Sequence, residues 1–117
     1  MGKTSRCLKA TMCTDVKSFS SMMGKDEEGT VDLIREHRKL FRSRLEKYGG
    51  EERSTSGDSF FVLFDSASAA VDCALEIQKE FKRRNKYKKM TRPGEQLWIR
   101  IGIHMGEVIY DEKEDDV

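Results

Sequence analysis

The hydrophobic and polar positions along the chain change period several times, and each change marks an element. From Cys7 to Val16, Leu8, Ala10 and Met12 alternate with Lys9 and Thr11. A period of two is the mark of a strand with one face against a core. Ser18-Phe19-Ser20 and Gly24-Lys25-Asp26 break that pattern. From about Asp26 to Tyr48, the residues Val31, Ile34, His37, Phe41, Leu45 and Tyr48 recur at spacings of three and four, with Leu33 and Leu40 beside them. That spacing predicts a long amphipathic helix. Gly49-Gly50 ends it, because glycine just past the last turn accepts left-handed backbone.

Glu51 to Ser56 is short and polar, Gly57-Asp58 is a turn signal, and Phe60-Phe61-Val62-Leu63-Phe64 is an apolar run. Two strands joined by a tight turn account for all three. Asp65 or Ser66 can cap a second helix, in which Ala67, Ala70, Val71, Ala74, Leu75, Gln78 and Phe81 trace one stripe. Pro93-Gly94 then resets the chain. Leu97, Ile99, Ile101 and Ile103 alternate with Trp98, Arg100, Gly102 and His104, the clearest strand in the sequence. Met105-Gly106 reads as a hairpin turn and Val108-Ile109-Tyr110 as the returning strand. The predicted order is β-α-β-β-α-β-β. It points to an α+β, ferredoxin-like sandwich with two main helices on one face of a mostly antiparallel sheet.

Length and composition narrow this picture. The 117 residues fit one domain. Hydrophobic and charged residues each make up 37%, and the apolar ones sit in periodic runs, which argues for a folded core over disorder. A net charge of +1 gives no global field for nucleic acid or a membrane surface. No apolar run approaches the roughly 20 residues that span a bilayer, and no apolar signal segment follows Met1. Cys7, Cys13 and Cys73 are an odd, scattered set without a C-x-x-C pair. A disulfide framework or zinc site is therefore not expected, and the natural compartment is the reducing cytoplasm.

Two carboxylates occupy places where chemistry can occur. Asp15 ends the first strand, and Asp58 sits in the turn between the two middle strands. In a βαββαβ sheet those elements are neighbours, so the two can converge. Paired carboxylates repel unless a cation lies between them, and Mg²⁺ held by a few protein oxygens plus substrate phosphates is the usual solution. Pattern alone leaves a second reading open: Asp58 as a turn former and Asp15 as a helix cap.

Thr14-Asp15-Val16-Lys17-Ser18-Phe19-Ser20 resembles the first metal-binding segment of the class III nucleotidyl cyclases. Met22 to Thr30 resembles the entry to the next helix in bacterial members. Tyr48-Gly49-Gly50 with Ser56-Gly57-Asp58-Ser59-Phe60 resembles the second metal-binding hairpin. Arg100-Ile101-Gly102-Ile103-His104-Met105-Gly106-Glu107-Val108 resembles the R-I-G-I-H-x-G-x-V segment. In the right order and spacing, these segments cover nearly the whole chain. The resemblance implies the N-terminal portion of a cyclase catalytic domain, with residues 1–117 as a partial domain that converts ATP or GTP to a 3′,5′-cyclic nucleotide and pyrophosphate.

The resemblance also implies roles for particular residues. Asp15 and Asp58 would be catalytic and would bind two Mg²⁺ or Mn²⁺ ions, with the Val16 carbonyl as a further ligand. Ser18, Phe19 and Ser20 would cradle phosphate oxygens at a helix start. Two subunits would pair head to tail as a homodimer in cyclic-nucleotide signalling. The family's base-reading lysine, or the glutamate of guanylate-making members, is replaced here by Ser54; strand alternation is expected to turn the adjacent Arg53 to the other face. The family's Asn and Arg that orient ribose and stabilise the transition state lie beyond the hairpin, so these 117 residues are expected to be inactive alone. The alternative is a degenerate cyclase-homology domain that binds nucleotide or dimerises for regulation.

Other signals carry less. Gly2-Lys3-Thr4 lacks the earlier glycine of a phosphate-binding loop. His37 and His104 have no partner at ligand spacing and read as structural. Lys82 to Arg92 holds seven Lys or Arg, which reads as a solvated helix end in favour of the dipole more than as a nucleic-acid surface. The acidic tail Asp111 to Val117 lacks the glycine and spacing of a calcium loop.

Overall fold

The computed structural model describes residues 4–91 and 96–111. The elements run β1 (Thr4–Val16), α1 (Phe19–Lys25), α2 (Glu27–Lys47), β2 (Glu51–Ser56), β3 (Ser59–Phe64), α3 (Ala67–Thr91) and β4 (Ile99–Asp111). The strands form one sheet in the order β2-β3-β1-β4, with every neighbouring pair antiparallel. This is the expected ferredoxin-like arrangement, with α2 and α3 packed on one face and α1 added between β1 and α2. The Pro93-Gly94 turn, the Gly2-Lys3 pair and the tail after Asp111 fall outside the described residues.

Local chemistry explains where the helices begin and end. Asp26 is the N-cap of α2, where its Oδ1 accepts the Gly29 N–H at 3.0 Å. Glu27 and Glu28 sit in the first turn, and Arg44 and Lys47 in the last, each suited to the helix dipole. At the far end Gly49 takes φ +70°, and the Gly50 N–H closes back on the Leu45 carbonyl at 2.8 Å. Ser66 caps α3 through its hydroxyl, which accepts the Ala69 N–H at 3.1 Å.

The core lies between the helices and one sheet face. Ala10, Met12 and Val16 of β1, Phe60, Val62 and Phe64 of β3, and Ile34, Phe41 and Leu45 of α2 are all buried in it. Phe41 and Phe60 stack with ring centroids 4.4 Å apart. A fully buried phenylalanine contributes about 1.5–3 kcal/mol by leaving water. On α3 the buried stripe is Ala70, Cys73, Ile77 and Phe81, while Val71 and Leu75 are 45% and 61% exposed. The stripe is therefore rotated from the expected one. The i, i+3, i+4 spacing also fits Cys73 and Ile77, and the position of the sheet selects those. Arg44, Lys47 and Arg84 tie the outer surface of α2 and α3 together through Glu76, Glu80 and Glu36.

Past Gly106 the fold departs from expectation. Met105-Gly106 is not a hairpin turn, and Val108–Tyr110 does not return. β4 runs unbroken over 13 residues and pairs with β1 from Val16↔Ile99 to Thr4↔Asp111 without a register shift. The physical reason is twofold. β1 extends back to Thr4 and offers a partner along the whole length, and Gly106 is not among the glycines with positive φ, so no tight turn forms there. Beyond the part of β1 covered by β3 the two strands continue as a ribbon. Leu8 and Ile109 on that ribbon are 62% and 50% exposed.

Candidate active site

The helix-free face of the sheet carries Asp15 and Ser54, and the register fixes their order. Ser54 of β2, Phe61 of β3, Cys13 of β1 and Gly102 of β4 form one row across all four strands. Further toward the end of β1, Asp15 faces Arg100 across the β1–β4 ladder. Together Cys13, Asp15, Ser54, Phe61, Arg100 and Gly102 line a cleft of about 500 Å³.

The turn at Gly57-Asp58 delivers the second carboxylate. Gly57 takes φ +55°, the left-handed backbone that the first position of a tight hairpin turn calls for. The turn is pinned from two sides. The Asp58 Oδ2 accepts the Val16 N–H at 2.8 Å, and the Arg38 guanidinium donates to the Gly57 carbonyl at 2.7 Å. Asp58 is thereby held against the residue next to Asp15, so the structure brings the two carboxylates to one sheet end.

Arg100 is the residue that sequence reasoning missed: it falls within a family-like segment, on the outward phase of its strand, with no role assigned to it. It forms an ion pair with Asp15. Its Nε donates to Asp15 Oδ1 at 2.6 Å and its Nη2 to Asp15 Oδ2 at 3.0 Å. This is the bidentate geometry that suits a planar guanidinium to a carboxylate. The hydrogen bond to Asp15, then the charge of Asp15 and more weakly that of Asp58, hold the Arg100 pKa above its ordinary value. The start of β4 is held firmly enough to fix the partner. Buried Asn85 on α3 donates its Nδ2 to the Leu97 carbonyl at 2.6 Å and accepts the Leu97 N–H at 2.8 Å. Gln78 donates to the Ile99 carbonyl at 2.8 Å, and the Lys17 N–H to the Trp98 carbonyl at 2.8 Å.

The remaining predicted positions are spread around this cleft. Val16 is buried, and gives its N–H to Asp58. Ser18 is the N-cap of α1 in left-handed backbone, φ 63°, and its hydroxyl makes no capping bond. Its carbonyl accepts the Met22 N–H at 3.0 Å. Phe19 packs on the core and lies over Gly57, while Ser20 is exposed. Ser54 lies on the cleft side of β2. Strict alternation fails beside it, because the β2–β3 register shifts between Glu52 and Ser54. Arg53 sits in that bulge, with a side chain only 6% exposed and an ion pair to Glu51.

His37 is wholly buried among Phe41, Phe60 and Phe81, and neither ring nitrogen has a hydrogen-bond partner. Burial pushes its pKa down to about 4, against a smaller upward pull from Asp58. His104 lies exposed on β4 opposite Thr11, away from the carboxylates.

The donor set suits a hard divalent cation. Asp15 and Asp58 offer carboxylate oxygens, and the chain turning at Val16 offers backbone oxygen. Among the described residues no group of three or more His, Cys, Asp or Glu is placed to hold a metal ion, so the two carboxylates would need ligands from outside the side chains. A small, all-oxygen set of this kind fits a hard divalent ion that takes its other ligands from outside the protein.

Comparison with known proteins identifies the family and the fold. The family described as "Adenylate and Guanylate cyclase catalytic domain" matches residues 6–112. A receptor-type adenylate cyclase, GRESAG 4.2, of Trypanosoma brucei brucei is 31% identical over 85% of this chain and 23% of its own length. The solved structure of a bacterial light-regulated adenylyl cyclase superposes with a TM-score of 0.84 at 25% identity, over 93% of this chain and 33% of that one. An adenylate/guanylate cyclase/hydrolase from Silicibacter pomeroyi superposes with a TM-score of 0.79 at 29% identity, over 92% of this chain and 61% of that one. The chain thus spans about a quarter of the length of the curated relative and a third to three-fifths of these solved ones. No helix among the described residues is long and apolar enough to cross a membrane. From residue 6 to residue 112, this chain belongs to the adenylate and guanylate cyclase catalytic domain family.

Proposed function

We propose that the open sheet face is the metal and phosphate side of a nucleotidyl cyclase site, acting on ATP or GTP to give a 3′,5′-cyclic nucleotide and pyrophosphate. The observation that carries this reading is the convergence of Asp15 and Asp58, with Asp58 locked to the Val16 N–H at 2.8 Å beside the cleft that Asp15 lines. Asp15, Asp58 and the Val16 carbonyl would hold Mg²⁺ or Mn²⁺, and such ions activate a hydroxyl for in-line attack and grip the triphosphate. The N–H groups that open α1 at Ser18, Phe19 and Ser20 face no helical partner and suit phosphate oxygens. Ser54 stands at the row where a base would lie. The site is read as shared by a head-to-tail homodimer; sedimentation as a monomer with metal and nucleotide present would remove that element.

The test is metal-dependent nucleotide binding. With Mn²⁺ present, a fluorescent ATP or GTP analogue is expected to bind wild type at least about tenfold more tightly than Asp58→Asn or Asp15→Asn, since each substitution removes a charged ligand. Equal affinity in all three proteins would sink the assignment.

A second reading has one specific observation in its favour. Ser54 is too short to reach a purine as a lysine does, which suits a regulatory module that binds nucleotide without turning it over. Turnover in the natural protein carrying this domain separates the two. Release of cyclic nucleotide and pyrophosphate in equal amounts supports the enzyme, whereas binding without product supports the module.

A further inference from the structure

The bidentate Arg100–Asp15 pair leads further than its packing role, to an inference that rests on the metal reading of Asp15 and Asp58. Both Asp15 carboxylate oxygens, the atoms that a divalent ion needs, are taken by one guanidinium at 2.6 and 3.0 Å. The same guanidinium lies within the field of Asp58. Neither side chain is buried: Arg100 is 67% exposed and Asp15 40%. The pair is therefore free to open, and an exposed pair is only weakly stabilising. Its geometry is imposed from below instead, by the Asn85 clamp on Leu97 and the Gln78 bond to the Ile99 carbonyl, which set β4 in register against β1.

From this geometry we infer that Arg100 is a placeholder cation: it clamps Asp15 in the metal-free protein, and a divalent ion enters only by displacing it. Arg100 is thus a positioning residue, acting on the metal through Asp15. The clamp relieves the repulsion between Asp15 and Asp58 that an empty pair of carboxylates would suffer. It also weakens the binding of a bare divalent ion, because an entering ion must break two charge-assisted hydrogen bonds before it gains the carboxylate.

The bidentate fork, and not only the charge, is responsible, which makes the proposal separable from simple electrostatics. Lysine keeps the charge but cannot grip both oxygens in the same plane. Loss of the clamp is therefore expected to strengthen binding of the bare ion in Arg100→Lys as well as in Arg100→Gln.

The experiment measures free Mn²⁺ by electron paramagnetic resonance during titration of wild type, Arg100→Gln, Arg100→Lys and Asp15→Asn, with no nucleotide present. Arg100→Gln is expected to bind Mn²⁺ about three- to tenfold more tightly than wild type, the modest range reflecting an exposed ion pair. Arg100→Lys is expected to lie between the two, and Asp15→Asn to lose the site. A second readout follows the Arg100 Nε–H resonance of the wild type in ¹⁵N spectra on addition of Mg²⁺. Its shift toward the position of a solvated arginine marks release of the clamp. Arg100→Gln binding Mn²⁺ no more tightly than wild type overturns the inference while leaving the metal site standing. Arg100→Lys behaving as wild type reduces it to net charge and overturns the clamp. Mn²⁺ binding unaffected by Asp15→Asn overturns the metal reading itself, and the inference with it.

Discussion

His37 makes the sharpest demand on stability, because the fold keeps a titratable ring in a buried aromatic cluster. Its pKa falls from 6.5 to about 4 through burial. The sign comes from linkage. Between those values the unfolded chain binds a proton at His37 that the folded protein refuses, so stability rises with pH through the window and is lost as pH falls from 6.5 toward 4. Each pH unit across that window removes about 1.4 kcal/mol, and the whole step about 3 kcal/mol. That is a large share of the roughly 5–15 kcal/mol typical of a domain. The carboxylates held low by partners, Glu36 by Arg84, Glu52 by Arg42 and Glu76 by Lys47, lose their contributions only below about 4.5. That lower window separates the two effects. Urea unfolding of wild type and His37→Leu at about pH 7, 6, 5 and 4.5 tests the reasoning. The leucine variant removes two unpartnered buried nitrogens at the expense of edge-on aromatic contacts, so it is expected to match wild type or gain about 1 kcal/mol at neutral pH. Its profile across the histidine window should be flat. A wild-type midpoint that does not move between about pH 7 and 5, or a variant that loses as much as wild type, would refute this reasoning.

Two further outcomes are expected. Asn85→Ala leaves the Leu97 N–H and C=O buried without partners, and should cost about 2–4 kcal/mol in chemical denaturation; a loss below about 1 kcal/mol would mean that β4 is anchored elsewhere. Ser54→Lys should raise the binding ratio of ATP over GTP in competition with a fluorescent analogue, and an unchanged ratio would place Ser54 outside the base pocket.

Apart from the short α1, which the sequence shows only as a break in the pattern, the order of the elements is legible up to Ile103, because strand and helix periods are local properties. α2 is legible almost to its ends, since Asp26, the acidic first turn and Gly49-Gly50 are themselves the capping chemistry. The rotated stripe on α3 and the unbroken β4 are not. Which apolar residues of α3 face inward depends on where the sheet lies, and whether Gly106 turns or continues depends on the length of β1, its partner. The candidate site shows the same division. Asp15, Val16, Ser18, Phe19, Ser20, Ser54 and Asp58 are reachable from motif resemblance. Arg100 needs the β1–β4 register, a pairing of residues 85 positions apart. The one available signal is its place on the outward phase of the clearest strand. The bulge that upsets the alternation at Arg53 leaves no comparable mark in Glu51 to Ser56.

The location of a bound metal–nucleotide complex tests the central claim most directly. Paramagnetic broadening of backbone amide signals by Mn²⁺ with a non-cyclisable triphosphate analogue reports that location by distance. The strongest loss of signal is expected at Asp15, Val16, Ser18, Ser20, Asp58 and Arg100, with Ile77 to Asn85 on the far side of the sheet retaining intensity. Broadening centred on α3 or confined to the acidic stretch after Asp111, with the Asp15 and Asp58 signals intact, would contradict the placement of metal and phosphate on the open sheet face.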